Sequence, residues 1–128
     1  MNKHLILLVG LGGALGALAR FGVSVLFSYQ SAFPFATLLV NLLGCFLLAY
    51  SSYLLLSQQV LSTEIILALN TGFIGSFTTF STFSLETISL WQTAQISAVI
   101  YVFISIGGGL AACLAGYQAA RWKGDVHK

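Results

Sequence analysis

Apolar residues run through this chain in four long blocks, 5–27, 35–56, 65–91 and 96–120, separated by SYQSAFP, SQQVLSTE and QTAQ. Each block reaches the roughly 20 residues that a helix needs to cross the hydrocarbon core of a bilayer. Joints this short and turn-like make consecutive helices antiparallel neighbours. An even number of crossings returns both termini to one side. The pattern predicts an all-α membrane protein, a single integral membrane domain over residues 1–128 with four transmembrane helices. Almost no chain is left outside the membrane, so function has to be carried by the helices.

Composition sharpens that picture. The chain is 58% apolar and 6% charged, whereas a soluble domain carries roughly 25% charged residues. Its charges are Lys3, Arg20, Glu64, Glu86, Arg121, Lys123, Asp125 and Lys128. A net charge of +2, dispersed along the sequence, excludes a nucleic-acid partner. The start of the chain imitates a cleavable signal peptide, with Lys3, an apolar run from Leu5 and Ala17-Leu18-Ala19. Arg20 directly after that site, and the resumption of apolar character in FGVSVLF, assign it instead to a first transmembrane helix. Lys3, Arg121, Lys123 and Lys128 lie on the side of the termini and the opposite loops carry no Lys or Arg, which places both termini in the cytoplasm. Cys45 and Cys113 read as small buried hydrophobes, and His4 and His127 stand at opposite ends, so no His/Cys metal site is expected. With both histidines terminal and no Asp embedded, a nucleophile–base pair is missing and the protein is not expected to be an enzyme.

Small residues recur at helical spacing. The first block holds the pair Gly12 and Gly16; the fourth holds GGGLAACLAG, with small residues at 108/112/116 and at 107/111/115. Such rows let helices approach closely in lipid, and packing within the chain is favoured over a dimer seam. Four helices are nonetheless too few to enclose a pathway, so oligomerisation is expected.

The third block carries the chemistry. From Glu64 to Trp91 an unbroken helix would measure roughly 42 Å against a hydrocarbon core of about 30 Å, so it either tilts steeply or is interrupted. Asn70, Thr71, Gly72, Gly75 and Ser76 supply a weak point, because each Gly costs a helix about 1 kcal/mol. A break frees carbonyls that must find partners in the membrane. Those partners are either a cation or neighbouring Ser and Thr side chains patching a kink. Beyond it, GSFTTFSTFSLE (75–86) places Phe80 and Phe83 three apart. Thr78, Thr82 and Glu86 step by four along an adjacent stripe, with Ser81 beside it. Hydroxyl hydrogens and the electropositive edges of phenyl rings can both point at an anion. Asn41 in the second block adds an amide, as a ligand or as an interhelical hydrogen bond. Glu86 is a carboxylate too costly to bury without a function, and Arg20 is its only intramembrane counterpart.

The run GxxGxxTTFSTFSxE at Gly72–Glu86, with the Asn41 segment and Arg20 after a Gly-rich first helix, resembles the Fluc/CrcB fluoride channels of bacteria. The resemblance covers essentially the whole chain, and TTFSTFS is its most specific part. It implies passive, selective export of cytoplasmic fluoride across the bacterial inner (plasma) membrane by an antiparallel dimer with two pores. It implies pore roles for Phe80, Phe83 and Asn41, and a polar track through Ser81, Thr82, Ser84 and Thr37 approaching Glu86. It also implies a central, structural sodium ion, not transported, held by the backbone carbonyls of Gly75 and Thr78. The partners implied are fluoride, membrane lipid, and a second copy or an oppositely oriented homologue. Two departures stand out. Ser76 occupies a position where many relatives have a second Gly, and the charge bias toward the termini weighs against insertion in both orientations. Homodimer and heterodimer are therefore equally expected. The rival readings are a small four-helix drug/proton antiporter, which needs an acid in the first helix where this chain has Arg20, and a non-transporting membrane subunit, which gives the hydroxyl-and-Phe ladder no purpose.

Overall fold

The computed structural model describes residues 3–27, 32–58 and 62–126. His127 and Lys128, and parts of the first two joints, lie outside them. Among the described residues all regular structure is helical. The elements are α1 (Lys3–Phe27), α2 (Phe35–Gln58), α3 (Thr63–Leu67), a π-helical stretch (Ala68–Ile74), α4 (Gly75–Phe77), α5 (Phe80–Thr93) and α6 (Gln95–Val126). They form four helices long and apolar enough to cross a membrane, the third running over Thr63–Thr93.

The ends of the spans follow from local chemistry. Pro34, which has no N–H to lose, opens α2, and its carbonyl accepts from Leu38 N at 3.2 Å. QTAQ contracts to one non-helical residue, Ala94, whose N–H still closes on Leu90 O at 2.6 Å. The fourth span runs past the expected residue 120, and α6 is 32 residues long, about 48 Å at the helical rise. Arg121 and Lys123 therefore ride on its last turns and stay exposed.

Glycine decides which helices touch. A Cβ on Gly12 or Gly16 would strike the carbonyls of Ala68 and Phe73, and one on Gly72 would strike Val9 O, so α1 lies directly on the π-helical stretch. In the same way Gly116 receives the Phe46 carbonyl and Gly108 faces Leu42, seating α6 on α2. The two small-residue rows of the fourth span thus have opposite fates. Gly108 and Gly116 pack inside the chain, while Gly107 meets nothing and Ala111 and Ala115 are exposed. A core of Leu90, Ala98 and Tyr101, with Phe33, Leu38 and Phe83 against it, ties α5 to α6. Large apolar side chains such as Leu18, Phe21, Phe103 and Leu110 stay exposed, as surfaces that meet lipid or another chain do.

Candidate ion pathway

The third span is interrupted twice, in different ways. At the glycine-rich Asn70–Gly75 region, where a break is expected, the helix widens into the π form without stopping. It stops one turn later: Thr78 (φ −77°, ψ 160°) and Thr79 (φ −150°, ψ 127°) are extended. What holds them is Asn41. Its Nδ2 donates to Thr79 O at 2.9 Å and its Oδ1 accepts from Thr79 N at 2.8 Å. Thr79 also caps α5, its Oγ1 accepting from Thr82 N at 3.2 Å, a side-chain substitute for the helical bond that Thr78 O would otherwise receive.

Two carbonyls are released by this arrangement. Thr79 N–H goes to Asn41 in place of Gly75 O, and Thr82 N–H goes to Thr79 Oγ1 in place of Thr78 O. Among the described residues Gly75 O keeps a long contact from Thr78 Oγ1 at 3.4 Å. The stripe expected at 78, 82 and 86 is corrected accordingly. Thr78 precedes the helix start, so the residue against Thr82 is Thr79, 3.1 Å between hydroxyls. A four-residue step has meaning only within one unbroken helix.

The hydroxyls of the motif are not equivalent. Ser76, Thr78 and Ser84 turn back onto their own backbone, to Gly72 O (2.9 Å), Ile74 O (3.2 Å) and Phe80 O (2.9 Å). Ser81 is exposed and lies 3.3 Å from the Thr79 hydroxyl. Phe80 and Phe83 meet at 5.9 Å between ring centroids. They differ in setting: Phe83 packs on Tyr101 at 5.2 Å, whereas Phe80 is 79% exposed in the single chain. Both rings, with Asn41, Gly75, Thr78 and Ser105, line an open groove of about 540 Å³. Ser81, Thr82 and Ser84 do not line it.

Beyond Phe83, away from the termini, a second polar level forms around Glu86. Thr37 Oγ1 donates to Oε1 at 2.8 Å, and the Tyr101 hydroxyl donates to Oε2 at 2.8 Å. Thr37 is buried and Tyr101 fully so. The partners of Glu86 therefore come from α2 and α6, while Arg20 on α1 is half-exposed, its carbonyl taking the Ser24 hydroxyl at 3.1 Å.

Sequence reasoning missed Thr79, Tyr101 and Ser105. Ser105 Oγ is buried with no hydrogen-bond partner among the described residues. Ser24, Ser84, Thr87 and Thr93 all donate to the carbonyl four residues back; Ser105 does not, and it faces the groove. The signal was available: Tyr101 and Ser105 stand four apart in YVFIS, on one face of the fourth span.

A helical bundle with four apolar crossings, a third crossing broken mid-way and polar groups gathered at the break defines a multi-pass membrane protein. Residues 7–117 match the family model "CrcB-like protein, Camphor Resistance (CrcB)". The chain is 48% identical over 120 residues to "Fluoride-specific ion channel FluC 1" of Bacillus cereus (strain ATCC 10987 / NRS 248), covering 91% of this chain and 88% of that one. It is 44% identical over 118 residues to "Fluoride-specific ion channel FluC" of Chlorobium phaeobacteroides (strain BS1), covering 91% and 92%. A third relative, "Fluoride-specific ion channel FluC 1" of Desulfitobacterium hafniense (strain Y51), is 44% identical over 107 residues, covering 83% and 94%. The chain belongs to the CrcB family, and with these bacterial relatives its four spans make it a protein of the plasma membrane.

Proposed function

We propose that this protein is a fluoride-selective channel that lets cytoplasmic fluoride leave by passive diffusion. The observation that carries the reading is the Ser105 hydroxyl, buried and unpartnered among the described residues, in one groove with the Asn41 amide and the Phe80–Phe83 ring pair. Fluoride is small and tightly hydrated, so a site that strips its water must return dense donors. Hydroxyl, amide and ring edge do this without an ammonium group that would hold the ion too firmly to release. Thr37, Tyr101 and Glu86 continue the polar line toward the face opposite the termini.

A dimer of antiparallel chains with two routes fits the exposure of Phe80, whose ring a second chain would cover. An oppositely oriented homologue could do the same. The carbonyls of Gly75 and Thr78, relieved of their helical donors, suit a structural sodium ion. Related by a two-fold axis, two such pairs present four oxygens. The ion would supply fixed positive potential near the groove and is not itself transported. An antiporter reading lacks support, since α1 holds no acid.

The test is fluoride efflux from liposomes containing the purified chain, followed with a fluoride electrode. Rapid passive efflux with little chloride is expected. Proton-coupled uptake of a cationic drug, or no ion flux from correctly assembled protein, would refute the reading.

A further inference from the structure

A second polar cluster, unused by the pathway above, joins α2 to the π-helical stretch. Ser51 Oγ donates to Asn70 Oδ1 at 2.7 Å, and Asn70 Nδ2 donates to Ser52 Oγ at 3.1 Å. Ser51 is buried; Ser52 and Asn70 are half-buried. Hydrogen bonds of this kind help helices associate in lipid, and that accounts for the two bonds named but not for donors left over beside them.

The clasp leaves donors over. An amide has two N–H groups and a hydroxyl has one O–H. The second Asn70 N–H and the Ser52 O–H have no acceptor among the described residues. Asn70 also lines the same groove as Asn41, Phe80, Phe83 and Ser105, while Ser52 lines an adjoining pocket of about 630 Å³ with Tyr53 and Tyr117. From Asn41 to Ser51 along α2 is ten residues, about 15 Å at the helical rise. α2 runs back toward the side of the termini, so Asn70 stands at that end of the groove, with the Glu86 cluster beyond Phe83 on the opposite side. The π form at Ala68–Ile74 shifts side chains relative to an α-helix, and such insertions concentrate at functional sites.

We infer that Asn70 and Ser52 form an anion-binding station at the termini side of the groove, which takes fluoride before it meets Asn41 and Ser105. The inference rests on the channel reading. Conduction through several weak sites in sequence lets an ion enter without being trapped at any one of them. Neutral donors at the entrance meet that need.

An entry station governs how readily fluoride is captured at low concentration; loss of packing lowers flux at every concentration. Efflux from liposomes is therefore measured over a series of fluoride concentrations for the full chain, Asn70→Leu and Ser52→Ala. Asn70→Leu is expected to raise the half-saturating fluoride concentration about fivefold, the scale of one hydrogen bond, with saturated flux unchanged. Ser52→Ala keeps the Ser51–Asn70 bond and should raise it about twofold, and it decides the matter if Asn70→Leu fails to assemble. An unchanged half-saturation, or a fall confined to saturated flux, overturns the station while leaving the channel reading intact. An unsubstituted chain that passes no fluoride removes both.

Discussion

The side chain of Asn41 stands in for a neighbouring strand to the backbone of Thr79, donating to its carbonyl at 2.9 Å and accepting from its N–H at 2.8 Å. An extended residue inside a bilayer has to find partners for both groups, because no water is there to supply them. One primary amide, with donor and acceptor side by side, satisfies both. The same two bonds hold α2 against the break and fix the distance from Asn41 to the ring pair.

Asn41→Asp keeps an acceptor for Thr79 N–H but sets a carboxylate oxygen against Thr79 O. Asn41→Ala removes both bonds and leaves two backbone groups unsatisfied. Either change should destabilise the protein by roughly 2–4 kcal/mol, since each unpaired buried group costs about 1–3 kcal/mol. Fluoride efflux should be lost with it. Thermal unfolding in detergent, run beside the efflux assay, checks both outcomes.

Phe80→Ile separates conduction from folding. The ring is 79% exposed in the single chain, so its loss should change the free energy of chemical unfolding of the isolated chain by no more than about 0.5 kcal/mol. Fluoride flux should nevertheless collapse, because an aliphatic side chain has no electropositive edge. Full flux through the variant would exclude the ring from the pathway.

Tyr101→Phe and Thr37→Val each strip one hydroxyl from Glu86. A hydrogen bond to a charged group contributes about 1.5–3 kcal/mol, so each variant should be less stable by that order and slower in fluoride efflux. Glu86→Gln keeps an acceptor for one hydroxyl, and its stability should fall less than that of Glu86→Leu. Equal losses for the two would show that the carboxylate serves neither partner.

Gly16→Ala puts a methyl group into the Phe73 carbonyl, a backbone atom that cannot swing aside. Separation of α1 from the third span should follow, at a cost of about 1–3 kcal/mol for overpacking. Gly22→Ala meets open space and should be neutral to within about 1 kcal/mol. Protease resistance of the two variants in micelles compares them directly.

Much of the chemistry was legible early because its signals are local. Phe80, Phe83 and Glu86 lie in a short motif whose polarity contradicts its surroundings, and Asn41 is conspicuous in an apolar helix. Thr79, Tyr101 and Ser105 were not legible as a set. A serine or threonine in a membrane helix has an ordinary alternative, the carbonyl four residues back, and a tyrosine hydroxyl reaches past its own helix, so only the neighbouring helix shows what each one meets. The same holds for Ser76, Thr78 and Ser84, whose hydroxyls look free in the sequence and are spent on their own backbone.

By itself the sequence determined the bilayer as solvent and the number of crossings, because these depend on hydrophobic length, and it marked the third span as too long to cross straight. Only the tertiary structure decided where the third span stops. A helix ends where other groups can take over its hydrogen bonds, and the amide that does so comes from Asn41, 38 residues away in the chain. Which carbonyls are left bare follows from that one contact between distant segments.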